Sequence, residues 1–317
     1  MKINSLLFSF TLSVLLLYSI DGFWGNWLTK QITEKQIWIL NKKGKLYNLA
    51  FLGSSRVYTC VDIDVVQKKT RRSAVNLGCD GASLMENFVI LKQFLNNGNK
   101  IEQLYLQLDN SSLINMKKAL SYPFHDYLFL NKLNQEEVKN AVIENSGYLK
   151  YFFWRYFPLF KYAEFNHFYS LSIFYPLTKP KACDFNCTNG TKTIPENIPD
   201  SLLLKLQSEV FQNDTFKCDE ISKQYVEKIL QLCSENNISC TFFKVPVYND
   251  KYIKYRSSFE TERFIRNYSK EKNCRFIDFQ KLPLSENKNY FKDYSHLNEI
   301  GAKIFSSFLS DSLIKNL

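Results

Sequence analysis

"NLAFLGSSRVYTC" (48–60) runs an apolar segment, Leu49 to Leu52, directly into Gly53, Ser54, Ser55 and Arg56. A short apolar run that ends on glycine and small polar residues predicts a buried strand followed by a tight turn. "LYNLAFLG" (46–53) is the first of four such runs, with "IEQLYLQLD" (101–109), "SCTFFKVPVY" (239–248) and "CRFIDF" (274–279) after it. Helical patterns lie between them. "SLMENFVILKQFLNNG" (83–98) opens on Ser83 with Glu86 three residues later, a capping-box spacing, and closes on Gly98. "DEISKQYVEKILQLCSENN" (219–237) sets Ile221, Tyr225, Ile229 and Leu232 on one face, and 297–314 does the same with Ile300, Ile304, Phe308 and Leu309. Strands alternating with helices predict an α/β fold with a parallel sheet covered on both faces.

Residues 111–218 interrupt that rhythm. "YLKYFFWRYFPLFKYAEFNHFYSLSIFYPL" (148–177) is crowded with aromatics and predicts amphipathic helices, followed by a polar loop over 178–200. Such an insertion serves either as an extra core layer or as an acyl-facing wall over a site. The 317 residues, 45% hydrophobic, are enough for a large core and exclude disorder of the whole chain. The charge of +10, from 41 Lys+Arg against 31 Asp+Glu, is scattered along the chain without a basic cluster. It gives no nucleic-acid signature, and suits mild attraction to an anionic surface such as lipid headgroups or acidic glycans.

The N-terminus carries "LLFSFTLSVLLLYSI" (6–20), uncharged and about 22 Å long as a helix, with Asp21, Phe23, Trp24 and Trp27 after it. No small-residue cleavage site follows, and the aromatics suit a membrane interface. Residues 1–28 are therefore expected to be a signal anchor or a signal peptide, with 29–317 forming an exported domain. Eight cysteines fit an oxidising compartment. Their pairing is open, although Cys183 and Cys187 flank a small loop suited to a disulfide. The cysteine and histidine spacings do not form a zinc motif.

Ser54 and Ser55 stand at a strand end, where ligands of open parallel sheets bind. A serine hydroxyl needs a base to become a nucleophile. Of the three histidines, His125 and His167 fall in the insertion, whereas His296 lies in "YFKDYSHLNEIGA" with Asp293 three residues earlier. That carboxylate is placed to hold one imidazole nitrogen and leave the other for the serine. "NLGCDGAS" (76–83) adds Gly78 and Gly81 ahead of a helix, where backbone amides can face a developing oxyanion. The bland alternative for Ser54 and Ser55 is that they cap a helix.

Together the motifs resemble those of SGNH (GDSL-type) hydrolases, in particular membrane-anchored, cell-surface relatives linked to polysaccharide or envelope acylation. "FLGSSR" is similar to the first block, "NLGCDGAS" to the second, and "FIDFQKL" with "YFKDYSHLNEIGAKIFSSFL" to the last, so that the resemblance spans 46–317. The third block departs from the family pattern: "LDNSS" (108–112) has Asp109 and Asn110 but no glycine at the usual place. The resemblance implies a three-layer α/β sandwich with a mainly parallel, flavodoxin-like sheet and the aromatic-rich helical insertion. It implies Ser55 as nucleophile, His296 as base and Asp293 as its orienting carboxylate, with Ser55, Gly81 and Asn110 in the oxyanion hole and no metal or cofactor. The implied activity is that of a serine esterase or O-acyltransferase on an acylated glycan, with acetyl the expected acyl group, or on a lipid ester. A non-catalytic envelope protein of the same fold, binding glycan or an assembly partner, is the alternative. No Gly-x-Ser-x-Gly elbow occurs, which argues against an α/β-hydrolase.

Overall fold

The computed structural model describes residues 2–28, 35–114, 132–161, 183–202, 216–248 and 257–315. His125, His167 and the aromatic run from 162 to 177 lie outside the described residues. Among those described, the chain begins with α1 (Lys2–Leu28) and α2 (Lys35–Asn41) and enters the sheet at β1 (Leu46–Leu52). Two short helices, α3 (Ser55–Cys60) and α4 (Ile63–Thr70), lead to β2 (Ala74–Asn76). Next come α5 (Leu84–Asn96), β3 (Lys100–Gln107) and α6 (Asn110–Leu113), then α7 (Glu136–Ser146) and α8 (Tyr148–Tyr156). The C-terminal part alternates α9 (Glu220–Glu235), β4 (Ser239–Lys244), α10 (Ser257–Glu271), β5 (Arg275–Asp278) and α11 (Glu299–Ile314).

The chain divides into two compact units. The first joins Met1–Asn41 to Leu120–Cys183. Within it, Ser5–Phe23 of α1 is a helix long and apolar enough to cross a membrane, with side chains such as Leu6, Phe8, Leu15 and Phe23 exposed. The aromatic-rich stretch is helical over α8, which buries Tyr151 and Trp154 and exposes Tyr148, Leu149, Phe152 and Tyr156. The ends of α1 and α8 are fastened together: Tyr18 Oη donates to the Tyr156 carbonyl at 2.7 Å, and Asp21 accepts from Leu159 N at 2.9 Å and from Lys161 Nζ at 2.7 Å.

The second unit, Lys42–Ala119 with Asp184–Leu317, holds a five-stranded sheet in the order β2-β1-β3-β4-β5, every neighbouring pair parallel. β1 and β3 are registered from Leu46 opposite Lys100 to Leu52 opposite Leu106. Leu49, Ala50, Phe51 and Leu52 are all fully buried, because alternate side chains face opposite layers and both layers are apolar. The connection from β1 to β2 moves one way along the sheet and that from β2 to β3 moves back across β1. Right-handed crossovers then put α4 and α5 on opposite faces. α11 packs on α3 and α4, whereas α9 packs on α5, completing a three-layer α/β sandwich. This strand order is flavodoxin-like, and it reverses between β1 and β3.

β2 is a three-residue strand that adds to the four apolar runs, with only Ala74 and Val75 to carry its apolar signal. The face assigned to the last helix is also corrected. In α11 Ile300 is 59% exposed and Phe308 41%, while Gly301, Ala302, Phe305, Leu309 and Leu313 form the buried stripe. The stripe is rotated about one residue because the backbone of α11 lies against Tyr290, whose carbonyl a Cβ at position 301 would strike. The polar stretch at 184–202 is tied down within the sheet unit. Asn76 N donates to the Asn189 carbonyl at 2.9 Å, Ile198 N to Phe291 O and Glu299 N to Ile194 O, both at 2.7 Å. Cys183 and Cys187 are disulfide-bonded, and the other six cysteines are free thiols.

Candidate active site

Ser54 and Ser55 follow β1 at the switch point of the sheet, beside the end of β3, which is where a crevice opens in such folds. Ser54 takes the capping role: its side chain accepts from Arg56 N and its carbonyl from the N–H groups of Val57 and Tyr58, starting α3. Ser55 is thereby the first residue of α3, and its Oγ lies 2.8 Å from Nε2 of His296, 241 residues away in sequence. Gly53 is required for space. A Cβ there would come within 2.5 Å of Gln107 Oε1 and of Val57.

His296 sits on a short turn between Phe291 and Leu297, which form an isolated antiparallel bridge. Lys292 N donates to the His296 carbonyl at 3.0 Å, closing the turn. Beyond it, Asn298 caps α11 by accepting from Gly301 N at 2.9 Å, and its amide donates to the Asn289 carbonyl at 2.8 Å. The imidazole Nδ1 lies 3.0 and 2.9 Å from the two carboxylate oxygens of Asp293. A carboxylate only accepts, so Nδ1 carries the hydrogen and Nε2 is left with a lone pair toward Ser55. Ser295, which the sequence reading did not single out, adds its Oγ at 3.0 Å from both Nδ1 and Asp293 Oδ1.

Burial pushes the Asp293 carboxyl up, but the hydrogen bond and charge of His296, with the N–H groups of Ser295 and His296, hold it at about 2 against an ordinary 3.8. A carboxyl depressed on folding stabilises the fold at pH above its unfolded value, and that contribution is lost as pH falls through the folded value. The window here runs from about pH 4 down to about 2, and partial exposure limits the effect to about 1–2 kcal/mol. Asp293→Asn is expected to remove this slope, giving melting temperatures that no longer fall with the parent's steepness between pH 4 and 2. Parallel acid decline in both proteins would contradict the assignment.

The other sequence-predicted residues stand at the same sheet edge. Gly81 lies in an exposed turn after β2, with φ of 68°, ahead of the Ser83–Glu86 capping box that starts α5. Neither its N–H nor that of Ser55 donates to a described residue. Asn110 begins α6 directly after β3, and its Oδ1 accepts from Thr261 Oγ1 at 3.1 Å, which orients the amide toward α10.

Beneath the serine turn is a polar network absent from the sequence expectations. Ser54 N and Oγ donate to Gln107 Oε1 at 3.0 and 3.1 Å, and Gln107 Nε2 donates to Asp109. Asp109, 1% exposed, also accepts from Ser111 Oγ at 2.6 Å and Ser112 N at 3.0 Å, and pairs with Arg56 Nη1 at 3.1 Å. Burial pushes its carboxyl up, yet the Arg56 guanidinium and these donors outweigh burial and leave it below the usual carboxylate range. The visible signal was Gln107 and Asp109 themselves, polar residues alternating with leucines at the end of a buried strand.

No family model and no curated protein matches the chain. Solved structures of similar chain path include a protein named as lipolytic, of the G-D-S-L family, from Desulfitobacterium hafniense. It is 11% identical, over 84% of this chain and 98% of that one, at a TM-score of 0.43. A GDSL-like lipase from Bacteroides thetaiotaomicron is 12% identical over 86% and 89%, and a protein named as an acylhydrolase from Bacteroides fragilis 9% over 85% and 88%, each at 0.40. At such distances they transfer no chemistry to this chain, whose site rests on its own geometry.

Proposed function

We propose that the chain is an SGNH-type serine hydrolase acting on ester-linked acyl groups through an acyl-enzyme. The observation that carries this reading is the 2.8 Å approach of Ser55 Oγ to His296 Nε2, with Asp293 on the opposite ring nitrogen. Nε2 takes the Ser55 proton as Oγ attacks the acyl carbonyl, and the imidazolium returns that proton to the departing alkoxide. Water, or a sugar hydroxyl in the transferase version, then gives its proton to Nε2 and attacks the acyl-enzyme, and Ser55 regains a proton as it leaves. The N–H groups of Ser55 and Gly81 and the amide of Asn110 are the oxyanion donors in this reading, each worth about 10²–10³ in rate.

The substrate class we favour is an acetylated cell-surface glycan, with a lipid ester as alternative. The apolar helix Ser5–Phe23 and the bonded pair Cys183 and Cys187 support an extracytoplasmic domain, anchored where the helix is retained and secreted where it is cleaved. A membrane-impermeant fluorophosphonate added to intact cells tests both halves, with an adduct expected on the Ser55 peptide. Labelling only after lysis would overturn the location, whereas a folded protein unlabelled under both conditions would overturn the hydrolase and favour a glycan-binding or assembly protein. Acetate released from p-nitrophenyl acetate, but neither released from nor transferred to a glycan, would remove the glycan assignment alone.

A further inference from the structure

Three thiols from three elements meet at the opposite end of the sheet from Ser55. Cys233 is in the last turn of α9, Cys240 is the second residue of β4, and Cys274 immediately precedes β5. The β4–β5 register pairs Thr241 with Arg275, so Cys240 and Cys274 are opposite one another one step earlier. Adjacent strands are about 4.8 Å apart, within the range of about 4.4–6.8 Å that disulfides span between Cα atoms. Cys274 Sγ donates to the Cys240 carbonyl at 2.9 Å, and the neighbouring Cys233 and Cys274 thiols, with burial, push the Cys240 thiol well above its ordinary value. Among the described residues no group of three or more His, Cys, Asp and Glu side chains is arranged to hold a metal ion.

We propose that Cys240 and Cys274 are an oxidation site that closes as a cross-strand disulfide in the presence of a small-molecule disulfide, with Cys233 left as a thiol. Cys240 and Cys274 are each partly exposed, whereas Cys233 is 2% exposed and closed to an oxidant. Contact with Cys240 also pulls the Cys274 thiol below its ordinary value, favouring it as the first nucleophile. The Cys274 thiolate attacks the oxidant RSSR, forming a mixed disulfide and releasing RS⁻. Cys240 then loses its proton and attacks Cys274 Sγ, expelling the second RS⁻. Two protein thiols are oxidised, one RSSR is reduced, and the two thiol protons leave with the two RS⁻ as RSH.

The consequence lies in β5. It is a four-residue edge strand bonded on one side only, to β4, and the chain leaving it carries Asp293 and His296. A covalent link at its base joins the segment that delivers the base to a central strand of the sheet.

The test is incubation of the full chain with excess oxidised glutathione, followed by peptide mapping without reduction and a thiol count in denaturant. The expected result is a fall from six free thiols to four, a linked peptide pair containing Cys240 and Cys274, and a melting temperature raised on the order of 5–10 °C. Cys233→Ser, with five free thiols at the start, should fall to three and keep the linked pair and the melting rise, and Cys274→Ser should lose both the pair and the rise. A Cys233–Cys240 link, a glutathione adduct on Cys274 that never resolves, or six free thiols after oxidation would each overturn the proposal. The mapping of the unaltered chain decides it even where a variant fails to fold, and none of these readouts depends on hydrolase activity.

Discussion

Ser55→Ala and His296→Ala are each expected to lower ester turnover by about 10⁴–10⁶-fold, with the double variant little worse than either. In the proposed mechanism the two side chains, 2.8 Å apart, act as one proton-transfer unit, and a nucleophile without its base fails as completely as a base without its nucleophile. Asp293→Asn should cost up to about 10⁴-fold, because an amide offers Nδ1 a donor where an acceptor is needed and turns the ring toward the wrong tautomer. Ser54→Ala should lose about 1 kcal/mol of stability through the cap and keep substantial turnover, since its hydroxyl is committed to Gln107. Hydrolysis of p-nitrophenyl acetate by variants whose thermal transitions show them folded is the measurement. An active Ser55→Ala with a dead Ser54→Ala would move the nucleophile by one residue, and four variants equal to the parent would end the serine-hydrolase reading.

Arg56→Met is expected to destabilise the chain by about 3–5 kcal/mol, the largest stability effect anticipated at the site. It strands the Asp109 carboxylate, whose side chain is 2% exposed, without the only cation that faces it among the described residues. Arg56 is itself held imperfectly. Its Nη1 meets Asp109, Nη2 reaches the Val245 carbonyl at 3.4 Å, and its buried Nε has no partner among the described residues. Replacing both members, Arg56→Met with Asp109→Leu, should recover much of the loss, because neither desolvated charge remains. Urea midpoints of the two single variants and the double variant check this. A double variant as unstable as the sum of the singles would show that the pair acts through the whole Gln107 and Ser111 network rather than through its own charges.

The local elements were legible from residues 48–60 and their counterparts. Leu49–Leu52, the Ser83–Glu86 box and the 219–237 periodicity each depend on sterics and side-chain spacing within a few residues, and each is present as expected. The α11 stripe was misplaced because Ile300 and Phe308 look like core residues by hydrophobicity alone. The small Gly301 and Ala302 set the contact face instead, through an approach to Tyr290 that no local pattern encodes.

At the site the same division holds. The Asp293–His296 pair was readable because a carboxylate three residues before an imidazole can reach it within one turn of chain. The sequence by itself therefore determined the α/β alternation, the strand-end serines and the local carboxylate–imidazole pair. The motif resemblance already put Ser55 at the nucleophile position, but only the tertiary structure brought it to 2.8 Å from His296, set Arg56 against Asp109 and laid Cys240 beside Cys274. The reason is that each of those meetings joins residues brought together by strand order and register, and strand pairing is selected by the packing of both sheet faces at once, a quantity that no single stretch of chain contains.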